Sequence, residues 1–303
     1  MKVLITGASG FLGHYTVDAL LSGSVHVLCV GRSLDKLRRL ERWGAIIEQT
    51  DYSQESMERL MSGADAVVHL AARRILRRDD RSDLKPFVEP NINLTDTLVR
   101  AALSAKISDF VLASTIAVYS PRNAAPYNED GVPLPETAYG LSKLIAERYA
   151  DMLAAKSSMR LTCLRLATLY GYGERDTPVL MQFIYKARAK EKLVIRSNPS
   201  ISIDGLYVKD AVHAIAAALE PSHAGGIFNI GSGAVYTLIE LAETVNSVFG
   251  NCGNLELIGL PEVAVPKPIL DISRAEEVLG WMPSYDLAKG LQDTLDNWGR
   301  IRQ

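Results

Sequence analysis

The sequence predicts an α/β fold, a doubly wound parallel sheet with a smaller, mixed α/β lobe from the C-terminal part. Three observations carry the prediction. Short β-branched runs alternate with amphipathic helical stretches through the first half of the chain. Those runs are apolar at successive positions, as strands covered on both faces require. A glycine-rich turn with Gly7, Gly10 and Gly13 lies between the first run and the first helix, where a βαβ crossover would begin.

Taken in order, Val3, Leu4 and Ile5 make the first strand, and apolar spacing predicts a helix over 12–21. A second strand over 25–30 is followed by a helix over 34–43. Ile46 and Ile47 begin a third strand, with a helix over 53–61. A fourth strand over 66–70 leads through a charged stretch to a long helix over 93–105. Phe110, Val111, Leu112 and Ala113 form the fifth strand, 139–155 the next helix, and 161–166 the sixth strand. The regularity fails after Gly171. Strand-like 205–208, helix-like 210–219 and strand-like 227–230 resume it, and the remainder carries Pro261, Pro266, Pro268 and Pro283. The expected division is a dinucleotide-binding domain over 1–170, with returning segments near 203–230. A substrate-binding lobe would then be built from 171–202 and 231–303.

Length and composition bound the function. A chain of 303 residues can hold one large domain with a satellite. A net charge of -2 gives no basic excess, so nucleic acid is not an expected partner. Cys29, Cys163 and Cys252 are too few for a disulfide framework, and neither they nor the five histidines have metal-ligand spacing. No metal is expected. The N-terminal apolar run is cut short by Gly7, and no stretch approaches the ~20 residues that cross a bilayer. A cytoplasmic protein with no membrane partner is expected.

The glycine turn is the first candidate site. Its glycines permit a tight turn, close approach of a pyrophosphate, and close packing of helix on strand, and the helix N-terminus presents unpaired N–H groups to phosphate. A site selective for NAD usually ends its second strand on a carboxylate for the ribose 2′-hydroxyl. Here Gly31, Arg32 and Ser33 stand at that point. Arginine can hold a 2′-phosphate and serine can add a hydrogen bond, so NADP is favoured over NAD. Asp51 can accept the adenine amino group, and the small residues Ala71 and Ala72 after Leu70 let a ribose pass.

The second candidate is Tyr139-Gly140-Leu141-Ser142-Lys143. On a helix, positions i and i+4 share a face. The Lys143 ammonium can therefore favour ionisation of the Tyr139 phenol, normally near pKa ~10. A tyrosinate can take a proton from a hydroxyl as hydride leaves for a nicotinamide. Lys143 can also bind the nicotinamide ribose, and Thr115 can orient the same hydroxyl.

These residues resemble the extended short-chain dehydrogenase/reductase family, in particular its NAD-dependent epimerase/dehydratase branch and the sugar-nucleotide 4-epimerases within it. Besides the glycine turn and the Tyr139 to Lys143 motif, the likeness includes His69 to Ala72, Asn91 with Thr95, and Ser114 to Tyr119. It continues with Leu164-Arg165, Leu169-Tyr170-Gly171, Tyr207-Val208-Lys209-Asp210, Phe228 to Gly233, and Asp271 to Ala275 with Leu279-Gly280-Trp281. The resemblance implies a Rossmann sheet, a catalytic set of Thr115, Tyr139 and Lys143, and a homodimer joined by a four-helix bundle from the helices near Asn93 and Tyr139. It implies cofactor contacts from Gly7, Ser9, Gly10, Phe11, Leu12, Gly13, Arg32, Ser33, Asp51, Tyr52, Leu70, Ala71, Ala72, Asn91, Tyr139 and Lys143. Sugar-nucleotide contacts are expected from Arg73, Thr168, Tyr170 and Lys267.

Departures from the family pattern narrow the chemistry. Ile116 and Ala117 stand where dehydratases carry an acid pair, and neither can move a proton. The arginine that often precedes the Tyr207 segment is replaced by Ile203-Asp204. Lys267, or the cluster Arg73, Arg74, Arg77 and Arg78, can supply that charge, although Asp79 and Asp80 interleave the cluster as on a solvated helix. Three functions remain: a sugar-nucleotide 4-epimerase, an NADPH-dependent 4-keto-sugar-nucleotide reductase, and a non-catalytic dinucleotide sensor. Trp281 and Trp298 are expected in the core of the C-terminal lobe.

Overall fold

The computed structural model describes residues 1–75, 81–175, 178–258 and 267–299. The strands are β1 (Lys2–Thr6), β2 (His26–Gly31), β3 (Ile46–Gln49), β4 (Ala66–His69), β5 (Asp109–Thr115), β6 (Arg160–Leu166), β7 (Thr168–Tyr170), β8 (Leu193–Ile195), β9 (Ser202–Ile203), β10 (Gly205–Tyr207), β11 (Gly226–Ile230), β12 (Tyr236–Thr237) and β13 (Leu255–Leu257). The helices are α1 (Phe11–Ser22), α2 (Arg38–Arg42), α3 (Gln54–Met61), α4 (Lys85–Phe87), α5 (Leu94–Ser104), α6 (Ala138–Ala154), α7 (Val179–Arg188), α8 (Val208–Leu219), α9 (Leu238–Val248), α10 (Ser273–Leu279) and α11 (Leu287–Asp296). A π-helical turn, Val88–Asn93, joins α4 to α5.

Seven parallel strands form the central sheet in the order β3–β2–β1–β4–β5–β6–β11. The order runs outward in both directions from the β1/β4 junction. Crossovers of one hand then cover opposite faces, which is the doubly wound arrangement. Successive strand residues point to opposite faces. Val3 and Ile5 belong to a core with Val17 and Leu20 of α1 and Ala211 and Ile215 of α8. Leu4 belongs to the other core, with Met57 and Leu60 of α3, Leu98 of α5 and Ala150 of α6. Both faces are buried, which explains strands that are apolar at every position. Each such buried aliphatic side chain contributes roughly 1.5–3 kcal/mol.

A third core gathers Tyr170, Leu180, Phe183, Ile184, Leu241, Val245 and Leu291 between α7, α9 and α11. Three two-stranded pairs, β10–β7, β12–β9 and β13–β8, accompany it. The strand-like segment after 204 does not extend the main sheet. As β10 it pairs with β7, and β11 is the strand that adds to β6. Trp281 also departs from expectation. It packs with Ile215 and Ala275 in the core on the α1/α8 face of the sheet, because its indole N–H, once buried, finds the Asp210 carbonyl at 3.0 Å. Trp298 lies against the third core as expected.

Candidate active site

The β1–α1 turn opens the site at the switch point of the sheet. Gly7 adopts φ +72°, and a Cβ there would fall 2.5 Å from the Ala71 backbone N, so the ends of β1 and β4 approach as only glycine allows. At Gly13 a Cβ would lie 2.3 Å from Gly7 O, which draws α1 down onto the turn. Gly10 differs: a Cβ there would meet only Gly7 O, at 3.1 Å, and otherwise face open space. Gly10 is also the N-cap of α1 and makes no side-chain capping bond. The first-turn N–H groups are therefore presented to a ligand rather than to a cap, an arrangement suited to pyrophosphate. Ser9 is exposed beside them, and Phe11 and Leu12 begin the helix half-buried.

Beyond the ends of β2 and β3 lies a cavity of about 710 Å³ lined by Arg32, Asp51, Ser53, Glu55 and Arg59 among others. The Arg32 guanidinium lies over the Tyr52 ring, 5.5 Å from its centroid. Asp51 Oδ1 accepts from the Ser53 N–H at 2.9 Å, and that hydrogen bond lowers its pKa. Glycine cradle, uncapped helix end and polar cavity form one side of the molecule, and together they fit a nicotinamide dinucleotide.

The catalytic set assembles where β5 ends. Thr115 is its last residue, and its hydroxyl accepts from the Ala117 N–H at 3.2 Å. Thr137 caps α6 through the Gly140 N–H at 3.0 Å, which sets Tyr139 in the first turn. Gly140 lets that turn press on the segment after β5, since a Cβ there would lie 2.0 Å from Ala117 O. Burial raises the Tyr139 pKa above its ordinary value, against a smaller opposing pull from Thr115 and the Arg74 guanidinium. Lys143 is itself 2% exposed, and burial lowers its pKa to about 8 against the opposing pull of Glu147. Nearby, His69 bridges Thr6 and Thr95 at 2.7 and 3.1 Å. Burial and the Lys143 charge push its pKa down to about 3.

A buried ion pair lies one helical turn beyond Lys143. Glu147 and Arg165 have fully buried side chains joined at 2.8 Å, with additional contacts at 3.2 and 3.3 Å. The Ser114 hydroxyl also donates to Glu147, and Arg165 donates to the Tyr119 hydroxyl at 2.6 Å. Bidentate geometry and saturated partners are what a buried pair needs to offset desolvation.

Residues 3–231 match the NAD dependent epimerase/dehydratase family. The chain belongs to that family. It is 32% identical to a UDP-N-acetylglucosamine 4-epimerase from Bacillus cereus, with a TM-score of 0.87 over 97% of this chain and 95% of that one. A UDP-glucuronic acid 4-epimerase from Bacillus cereus, solved with UDP-glucuronic acid and NAD, is 26% identical with a TM-score of 0.84 over 98% of each chain. A dTDP-4-dehydro-6-deoxyglucose reductase from Escherichia coli is 26% identical over 95% of each sequence.

Within this family frame the predicted site residues separate into groups. The turn residues, Leu70 to Ala72 and Thr115 lie at the C-terminal ends of β1, β4 and β5, Tyr139 and Lys143 lie on α6, and Arg32, Ser33, Asp51 and Tyr52 lie at the ends of β2 and β3. Asn91, expected at the cofactor, spends its side chain on the protein. Its Oδ1 accepts from the Arg73 N–H at 2.7 Å, and its Nδ2 donates to Arg73 O at 3.0 Å and Ser142 Oγ at 2.9 Å. The Arg73 guanidinium lies over Phe87, whose ring neighbours Tyr139. Tyr170, expected to border the sugar, is 1% exposed and packs on Tyr207 in the third core, where apolar burial outweighs its polar tip. Thr168 is half-buried on β7, paired with β10. Lys267 is exposed, and its charge acts on Glu240 of α9. Arg77, Arg78, Asp79, Asp80, Pro261 and Pro266 lie outside the described residues.

Sequence reasoning missed two groups. Glu147 continues the spacing of Tyr139 and Lys143 by another four residues, and that signal was readable. The pairing of Arg74 with Glu174 joins positions 100 apart, and no local pattern announces it. Among the described residues no helix is long and apolar enough to cross a membrane, and no group of three or more His, Cys, Asp or Glu could hold a metal ion.

Proposed function

We propose that this chain is a sugar-nucleotide 4-epimerase that uses a nicotinamide dinucleotide held at the β1–α1 turn. The observation that carries the reading is Tyr139 in the first turn of α6, which Gly140 seats on the segment just after Thr115 at the end of β5, with buried Lys143 one turn along the helix. Thr115 orients a sugar hydroxyl, and Tyr139 takes its proton and later returns it. Lys143, kept cationic by Glu147, binds ribose hydroxyls. The bound dinucleotide supplies the two-electron acceptor, and then the donor, for the carbon that carries that hydroxyl. Ile116 and Ala117 sit on the short turn after Thr115 and offer no acid for elimination of water. The likeness to 4-epimerases over nearly the whole chain supports the same reading.

A second reading is favoured by one feature. Arg32 and Arg59 both line the 710 Å³ cavity at the end of β2, and Gly31 leaves no carboxylate there for a ribose 2′-hydroxyl. Such a pocket suits the 2′-phosphate of NADP, and a net consumer of NADPH is a 4-keto-sugar-nucleotide reductase. One assay separates the two. UDP- and dTDP-sugars are incubated with and without added NADPH, and the products and cofactor are quantified. Isomerisation without net cofactor oxidation supports the epimerase, and stoichiometric NADPH loss supports the reductase. Cofactor binding with no turnover on any sugar, or turnover that survives Tyr139→Phe, would overturn both.

The same proposal divides the molecule into a nucleotide lobe over 1–170 with 203–230 and a sugar lobe over 171–202 and 231–303. The separate third core supports that division. It also makes the protein a cytoplasmic homodimer joined through α5 and α6, where Leu141 and Met152 are exposed apolar residues on α6.

A further inference from the structure

The crevice at the glycine turn has two banks, and an ion pair joins them. One bank is the end of β4, where the Ala71 backbone approaches Gly7. The other is the start of α1, where the Phe11 and Tyr15 rings meet edge to face, 5.6 Å between centroids. The segment after β7 rests on this second bank. A Cβ on Gly171 would lie 3.4 Å from Phe11 Cζ, and the Tyr15 hydroxyl donates to Tyr172 O at 2.9 Å. Glu174 follows directly. Its N–H donates to Gly171 O at 3.2 Å, and its carbonyl accepts from the Tyr185 hydroxyl of α7 at 2.8 Å.

Arg74 comes from the first bank, just beyond Ala71 and Ala72. Its neighbour Arg73 is gripped by Asn91 at backbone N–H and C=O, at 2.7 and 3.0 Å. Arg74 Nη1 and Nη2 donate to Glu174 Oε2 and Oε1 at 2.9 and 2.7 Å. The Glu174 side chain is 1% exposed and the Arg74 side chain 44%. The carboxylate is therefore the fixed anchor, and the arginine is the part able to let go. Neither side chain has a part in the proton and hydride transfers. A two-pronged pair between charged groups is stronger and more directional than a neutral contact.

We propose that the Arg74–Glu174 pair is a strap across the dinucleotide: closed, it retains the cofactor on the glycine turn, and the cofactor enters or leaves only when the pair opens. The inference rests on the dinucleotide binding at the β1–α1 turn. It also bears on the choice of reaction. An epimerase regenerates its own cofactor in each cycle and loses nothing by retaining it. A reductase must open the strap at every turnover.

The test reads cofactor exchange rather than turnover. The full-length chain is loaded with NADH, and in parallel with NADPH. Release into an excess of the oxidised dinucleotide is followed by stopped-flow nicotinamide fluorescence, and binding to the cofactor-free chain gives the entry rate. In Arg74→Met both rates are expected to rise about tenfold or more, because a hydrogen bond between charged groups lost from the closed state is worth about a decade or more. The dissociation constant, as their ratio, is expected to move less than either rate. Arg74→Lys, which keeps one prong of the pair, is expected to fall between. Because Arg74→Met strands a buried carboxylate, the double variant Arg74→Met with Glu174→Leu is measured as well, with the same fast exchange expected. Release as slow as in the wild type, in either variant, overturns the strap. Faster release with unchanged entry overturns it too, since that marks Arg74 as an ordinary contact. If neither dinucleotide binds the wild type, it is the reading of the glycine turn that fails.

Discussion

Buried charge is the most expensive feature at the scale of single residues, and this protein places three such groups along one line. Lys143, Glu147 and Arg165 are almost wholly excluded from water, and Glu147 and Arg165 are joined directly at 2.8 Å. Removing one partner of a buried pair strands the other, at a cost of about 3–5 kcal/mol. Glu147→Gln is expected to lose that much in urea unfolding, and more than the double change Glu147→Leu with Arg165→Met, which removes both charges together. A single variant as stable as the wild type would mean that the buried pair does not stabilise the fold. The helical part of this chain of contacts follows from i, i+4 spacing, so Tyr139, Lys143 and Glu147 were recoverable from the sequence. Arg165 and the Arg74–Glu174 pair depend on which strand and loop lie alongside, and spacing is silent there.

At the scale of elements, the decisive fit is α6 on the end of β5. Thr137 starts the helix and Gly140 allows its first turn to rest on the Ala117 carbonyl, which brings Tyr139 to the end of β5. Gly140→Ala puts a methyl into a backbone oxygen that cannot swing aside. The helix must retreat, at an expected ~1–3 kcal/mol of stability. Turnover is expected to fall at least tenfold, because displacement near 1 Å can cost up to ~100-fold. Thermal unfolding and steady-state assay together check this, and unchanged values in both would show that the contact does not position the phenol. Element existence was legible because both cores impose a periodicity on the sequence. The π-helical turn at Val88–Asn93 was not, since nothing in Val88-Glu89-Pro90-Asn91 distinguishes it from the start of α5. Its effect is to aim Asn91 inward, at Arg73 and Ser142.

Across the whole molecule, Asp204 fastens the C-terminal segments to the sheet. Its carboxylate accepts from the Ser232 N–H and hydroxyl, both at 2.8 Å, and from the Leu270 N–H at 3.4 Å. Burial raises its pKa to about 6, against the pull of those hydrogen bonds. An acid with a raised folded-state pKa binds its proton more tightly when folded, so stability falls as pH climbs from the ordinary value of 3.8 to about 6 and then levels off. The span corresponds to ~3 kcal/mol. His69 acts in the opposite sense. Its folded pKa of about 3 makes stability fall as pH drops below 6.5. The comparison is therefore between unfolding free energies of wild type and Asp204→Asn across pH 4 to 7. The difference between them should change with the sign given, and parallel curves would remove Asp204 as a titrating fastener.

By itself the sequence determined the doubly wound sheet, the dinucleotide turn and the Tyr139–Lys143 pair, because each is written in local spacing. Strands buried on both faces must be apolar throughout, a phosphate turn must be glycine, and two side chains four apart on a helix must share a face. Tertiary structure alone decided that β10 leaves the sheet while β11 joins it, that Tyr170 turns into the third core, and that Arg74 pairs with Glu174. Those outcomes depend on contacts between segments far apart in the chain, where the free energy of packing one surface on another selects the arrangement and no short stretch of residues encodes it.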